Sequence, residues 1–194
     1  MPKNETSSKK GVTSTAKQLK QATPAKENKK VALSAQKKAA IGITDTNRQI
    51  VAAELAKLLA DENILYIKTK KAHWNIEGAD FYDKHKFFET QFVQLDNMID
   101  KVAERIRSID HYVPATLKSY LSLTHLTEQS RAENNSEGFI KELLQDHESI
   151  ISVLREQIKW FANDFRDSGS SNFFTDLKET HEKMAWFLRS HLNN

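Results

Sequence analysis

The chain has 194 residues, 39% of them hydrophobic and 28% charged, with only five Gly, three Pro and no Cys. That length suggests one domain with a substantial core, and so few turn-forming residues favour long helices over a sheet-rich fold. The missing Cys excludes disulfides, thiolate metal ligation and cysteine nucleophiles; no apolar run approaches the roughly 18 residues that cross a bilayer, and Met1-Pro2-Lys3-Asn4-Glu5 does not lead into a secretory signal, so a cytoplasmic location is the simplest expectation.

The net charge of +3 is unevenly spread. Residues 1–40 hold ten lysines (Lys3, Lys9, Lys10, Lys17, Lys20, Lys26, Lys29, Lys30, Lys37, Lys38) against Glu5 and Glu27, a balance of +8, whereas the remainder has 19 basic and 24 acidic residues, a balance of −5. The basic segment has no aromatic residue and no apolar period that could bury a face, so residues 1–43 read as a disordered tail and residues 44–194 as the folded domain. Its Lys-Ser-Thr-Pro-Ala texture suits neutralisation of nucleic-acid phosphates without base readout, with a solubilising tail as the plainer alternative.

From Thr44 the pattern becomes helical. Ile50, Val51, Leu55, Leu58, Leu59, Leu65 and Tyr66 recur at helical spacing and predict a helix to about Asn75, followed by a short turn at Gly78. A second helix is expected from about Asp80 to Ile109, with Phe81, Phe88, Phe92, Leu95, Ile99, Val102 and Ile106 as its apolar stripe. Pro114 ends it, and Leu117–Leu123 suits a short helix in the connection. A third long helix from about Ser136 to Asp164 and a fourth from about Asn172 to His191, separated by the breaker Asp-Ser-Gly-Ser-Ser, complete an all-α antiparallel four-helix bundle with a crossover.

The chemistry is concentrated between His73 and Glu104. Asp100 and Glu104 leave one helix face a turn apart, as do His85 and Glu89, and both pairs are expected close to the apolar stripe, where unpaired carboxylates are costly. A salt-bridged structural role is one reading of them. His85 and Asp100 are 15 residues apart, roughly 22 Å along a helix, so one chain cannot bind one ion with both. If two copies pack antiparallel about a two-fold axis, His85 of one faces Asp100 and Glu104 of the other, with His73 folding back over the turn as a second imidazole. Such a nitrogen–oxygen set suits Fe(II), Mn(II) or Zn(II). Trp74 could line the site and intercept radicals or simply pack at an interface. His111, His125, His147, His181 and His191 show no convergent set and read as surface or structural histidines.

At these residues the sequence resembles the Dps family of ferritin-like mini-ferritins. His73, Trp74, Ile76, Gly78, His85 and Glu89 match its first signature and Ile99-Asp100-Lys101-Val102-Ala103-Glu104-Arg105 its second, within a resemblance covering about residues 45–192. The resemblance implies a ferritin-like bundle with a short helix in the middle crossover connection, assembled into a dodecameric cage. It also implies inter-subunit ferroxidase sites with His73, His85, Asp100 and Glu104 as ligands and Glu89 as a supporting or second-metal ligand. Fe(II) would be oxidised by hydrogen peroxide in preference to dioxygen and stored as ferric iron, protecting DNA; Lys-rich tails bind DNA in some members, which would make the protein nucleoid-associated. The chain departs from the family pattern at Lys84, at Asp110-His111 in place of Gly-Gly, and at Asn172 near an acidic pore that Asp167 and Asp176 would line. No Glu-x-x-His occurs, which weakens a conventional ferritin site within one bundle. The reading from a different class is a non-enzymatic DNA-compacting protein that uses the cage to display basic tails.

Overall fold

In a computed structural model of the chain, residues 39–128, 134–165 and 167–192 are described, and among them there are five helices and no strand. α1 spans Asp45–Asn75, α2 Phe81–Ser108, α3 Leu117–Leu123, α4 Ser136–Asn163 and α5 Ser168–Ser190. The ten tail lysines lie outside the described residues. Four of the five described helices start where a short polar side chain satisfies one of the first free N–H groups. Thr44 accepts from the Asn47 amide, Thr116 from Ser119, Asn135 from Gly138 and Asp167 from Ser170.

The fourth long helix was expected to begin only at Asn172. It begins four residues earlier because Asp167 caps it and Ser168-Gly169-Ser170-Ser171 supply its first turn, where poor helix formers cost least. The other predicted boundaries fall within a residue or two of the observed ones.

α1 and α2 form one hairpin, α4 and α5 the other, and α3 lies against α1. The amide of Glu77 bonds to the carbonyl of Asn134 at 3.3 Å, and the Ser136 hydroxyl donates to Asp80, so α4 starts beside the α1–α2 turn. Arg105 reaches Ser170 at 3.1 Å, which places the start of α5 beside the far part of α2. The connection between α2 and α4 therefore runs the length of the bundle, as a crossover requires. The core joins Val51, Leu55, Leu59 and Leu65 of α1, Phe88, Leu95, Val102 and Ile106 of α2, Phe139, Ile140, Ile150, Leu154 and Phe161 of α4, and Phe174, Met184 and Leu188 of α5.

α1 also buries Asp61, Glu62 and Lys68, because helices pack on more than one of its sides. Asp61 accepts from the Thr124 hydroxyl, the His125 amide and the His125 ring, pinning the end of α3 to α1. Lys68 lies between Glu142 and Asp146 of α4. Deeper still, Glu62 receives His181 Nε2 at 2.6 Å, and His181 Nδ1 lies 2.9 Å from His147 Nδ1, all three side chains being fully enclosed. His147 and His181 thus converge, contrary to their reading as unconnected histidines. With His181 donating to Glu62 and His147 neutral, a single proton lies between the two Nδ1 atoms.

Complete burial, then the neighbouring His181, pushes His147 well below the ordinary imidazole range. The unfolded chain therefore binds a proton near pH 6.5 that the folded chain refuses, so this stability is present above that pH and is lost as pH falls below it. Urea unfolding of wild type and His147→Leu across pH 7.5 to 5 should show the variant weaker at neutral pH, by about 1–3 kcal/mol for the unpartnered His181 nitrogen. Its midpoint should also depend less on pH; equal slopes for the two proteins would contradict the assignment.

Candidate metal centre

His73 is in the last turn of α1 and His85 in the second turn of α2, brought together by the short turn in which Gly78 takes φ +123°. His73 Nδ1 bonds to the His85 carbonyl at 2.8 Å, and His85 Nδ1 bonds to the His73 carbonyl at 2.8 Å. A carbonyl can only accept, so both Nδ1 atoms carry a proton, and in the neutral form of each ring Nε2 keeps the lone pair. The rings stack at 3.7 Å with 24° between their planes, and Phe92 and Phe81 hold them from the outer sides. This reciprocal bonding fixes tautomer and orientation together, as second-shell partners do for metal-bound histidines.

Glu89 lies one turn beyond His85. Its hydrogen bond and charge interaction with Lys86 hold its carboxyl below the ordinary range, with His73 and His85 adding smaller contributions. Lys86 is thus a partner that sequence reasoning missed, although its i, i+3 spacing to Glu89 was the available signal.

The structure corrects one expectation for Asp100 and Glu104. They do not lie at the core edge; both are exposed and neither makes an ion pair or hydrogen bond among the described residues. The structural salt bridge is absent there, and so is any burial cost within one chain. They leave α2 well down the helix from His85, and among the described residues no group of three or more His, Asp or Glu within the chain is arranged to hold a metal. Trp74, next to His73 at the end of α1, is 63% exposed, with Lys70 Nζ 5.3 Å from its ring. Ile67, Phe81, Tyr82 and Val93 add further exposed apolar side chains to α1 and α2.

Asp167 and Asp176 are not brought together either. Asp167 is buried as the α5 cap, its Oδ1 bonded to the Ser170 amide and its Oδ2 without a partner, whereas Asp176 is exposed in the helix interior.

The ferritin-like domain family matches residues 52–194. Over 150 residues the chain is 38% identical to an uncharacterized low temperature-induced protein of Nostoc, covering 77% of this chain and 84% of that one. It is 31% identical to DNA protection during starvation protein 2 of Bacillus anthracis over 76% of this chain and 99% of that one. The chain belongs to the ferritin-like family, on its Dps branch.

Solved Dps structures agree. That of Thermosynechococcus elongatus matches with TM-score 0.70 and 30% identity over 75% of this chain and 91% of that one. The Vibrio cholerae Dps, described as belonging to a broad superfamily of ferritin-like diiron-carboxylate proteins, matches with TM-score 0.76 and 26% identity over 82% and 99%. Within this Dps-family chain, Lys84 is accommodated by an ion pair to Asp80 at 3.6 Å, and Asn172 is exposed.

The reciprocal bonds make a direct spectroscopic prediction. In metal-free protein above pH 7.5, long-range ¹H–¹⁵N correlations should show His73 and His85 as Nδ1–H tautomers with bare Nε2. An Nε2–H tautomer for either ring would contradict the geometry.

Proposed function

We propose that the protein oxidises and stores iron at sites shared by two subunits: His73 and His85 of one copy offer Nε2 to a metal that Asp100 and Glu104 of a second copy complete, with Glu89 as an auxiliary ligand. The observation that carries this reading is the division of the set. Two oriented imidazole lone pairs stand at one end of the hairpin and two unpartnered carboxylates stand too far along α2 to join them. The exposed apolar residues of the same hairpin support a surface that a second copy covers, with Trp74 lining the site.

Fe(II) is the substrate. Neutral imidazoles tolerate it, and two carboxylates favour the higher charge of Fe(III), so the site promotes electron loss. Hydrogen peroxide, preferred over dioxygen, accepts one electron from each of two Fe(II) ions and, with two protons, becomes two waters. Fe(II) reaches the interior of a dodecameric cage past the exposed Asp176, and the removal of both Fe(II) and peroxide protects DNA. The Lys-rich segment holds DNA through phosphates, a reading supported by the charge division between residues 1–40 and the body.

That charge division also favours a second reading, a cage whose sole task is DNA compaction through many weak tails. Stopped-flow Fe(II) oxidation by peroxide separates the two. Asp100→Ala with Glu104→Ala should slow it by about two orders of magnitude, the scale of losing groups that stabilise developing charge, in an oligomer of unchanged size. Undiminished oxidation would rule out the site. Deleting residues 1–38 should leave oxidation intact and abolish DNA retardation at low salt, whereas unchanged retardation would rule out the tail.

A further inference from the structure

One departure from the family pattern, Asp110-His111 in place of Gly-Gly, finds its reason where the described chain begins. α2 ends in a Schellman motif: the His111 amide bonds back to the Ile106 carbonyl at 3.2 Å and the Asp110 amide to the Arg107 carbonyl at 3.0 Å. The residue that donates the second of these bonds must adopt a left-handed conformation, and Asp110 does so at φ +70°, the one non-glycine with positive φ among the described residues. Glycine takes this position without a Cβ penalty, so a side chain kept there against strain calls for a contact that justifies it.

The contact is 71 residues away in sequence. Asp110 Oδ2 accepts the Ala39 amide at 3.1 Å, and Arg48 Nη1 donates to the Ala39 carbonyl at 3.0 Å. Arg48 is 3% exposed, lies 3.8 Å from Asp110 Oδ2 through the same Nη1, and is also bound to Asp45. Both backbone groups of Ala39 are therefore held by side chains of the folded body. Lys38, the last of the ten tail lysines, immediately precedes it.

We infer that Asp110 and Arg48 form a clamp that fixes the root of the Lys-rich segment at the end of the bundle where α2 terminates, setting the point from which the segment is presented to nucleic-acid phosphates. The clamp itself rests on the contacts of Ala39; its consequence for DNA rests on the tail reading proposed above. A segment fixed at Ala39 keeps a shorter reach from the body than one freed as far as Thr44, the α1 cap, and its lysines are offered at a higher local concentration.

Asp110→Gly is the decisive variant, because glycine suits φ +70° and removes only the clamp. The intact oligomer should show an unchanged melting temperature or a higher one. The Lys38–Ala39 bond, followed by mass spectrometry during limited trypsin digestion, should be cut about tenfold faster, since cleavage tracks the population of the released state. Amide exchange at Ala39 should accelerate in parallel. Asp110→Asn, which tolerates the same backbone and keeps an acceptor without the charge, should fall between. Unchanged cleavage and exchange in Asp110→Gly would overturn the clamp. For a 30-base-pair duplex, Asp110→Gly should bind about two- to fivefold more weakly with the same salt slope, because the lysine count is unaltered. Equal affinity in a chain whose deletion of residues 1–38 does abolish binding would overturn the presentation role. If that deletion leaves binding intact, the tail reading fails, and cleavage and exchange decide the clamp by themselves.

Discussion

The pair of bonds that crosses between His73 and His85 is the constraint on which the site depends. Each imidazole spends its Nδ1 proton on the other's carbonyl, which ties the end of α1 to the start of α2 and leaves two bare Nε2 atoms 12 residues apart in sequence but stacked in space. Either histidine alone would be free to choose its tautomer. Together they are committed, and a metal need not meet the cost of ordering them. The same geometry makes the site incomplete, because α2 is a rigid rod that carries Asp100 and Glu104 away from its own histidines.

Around that hairpin the bundle contains a polar interior unusual for a helical core. Lys68 between Glu142 and Asp146, Asp61 on the His125 segment, and Glu62 in line with His181 and His147 each join α1 to a different part of the fold. Such networks cost desolvation and give back directional contacts that a purely apolar core lacks. Here they fix how the crossover and the second hairpin sit on α1, and hence the surface that the histidine hairpin presents.

Much of this was legible in the sequence because helical period, capping residues and breakers act locally. Thr44 and Gly78 marked their boundaries. Asp167 did not, because a run of Ser and Gly reads as a break unless its capping partner is known. The candidate ligands were visible from their spacing, but the burial of Asp100 and Glu104 was misjudged: proximity to an apolar stripe does not say which side of it faces solvent. The convergence of His147 and His181 was missed since each sits on an apolar stripe of its own helix and they meet only in three dimensions. The Ala39–Asp110 contact, between residues 71 apart in sequence, has no local signature beyond an acid where glycine would be easier.

The central claim is that each site is built from two chains, and mixed assembly tests it most directly. One subunit carries His73→Ala and His85→Ala, the other Asp100→Ala and Glu104→Ala, each inactive when assembled alone. In an equal mixture, dissociated and reassembled, half of the two-fold pairs are hybrid and one of the two sites in each is intact. Peroxide-driven Fe(II) oxidation should therefore recover to about a quarter of the wild-type amplitude. No recovery in an oligomer shown by mass to contain both chains would contradict a shared site.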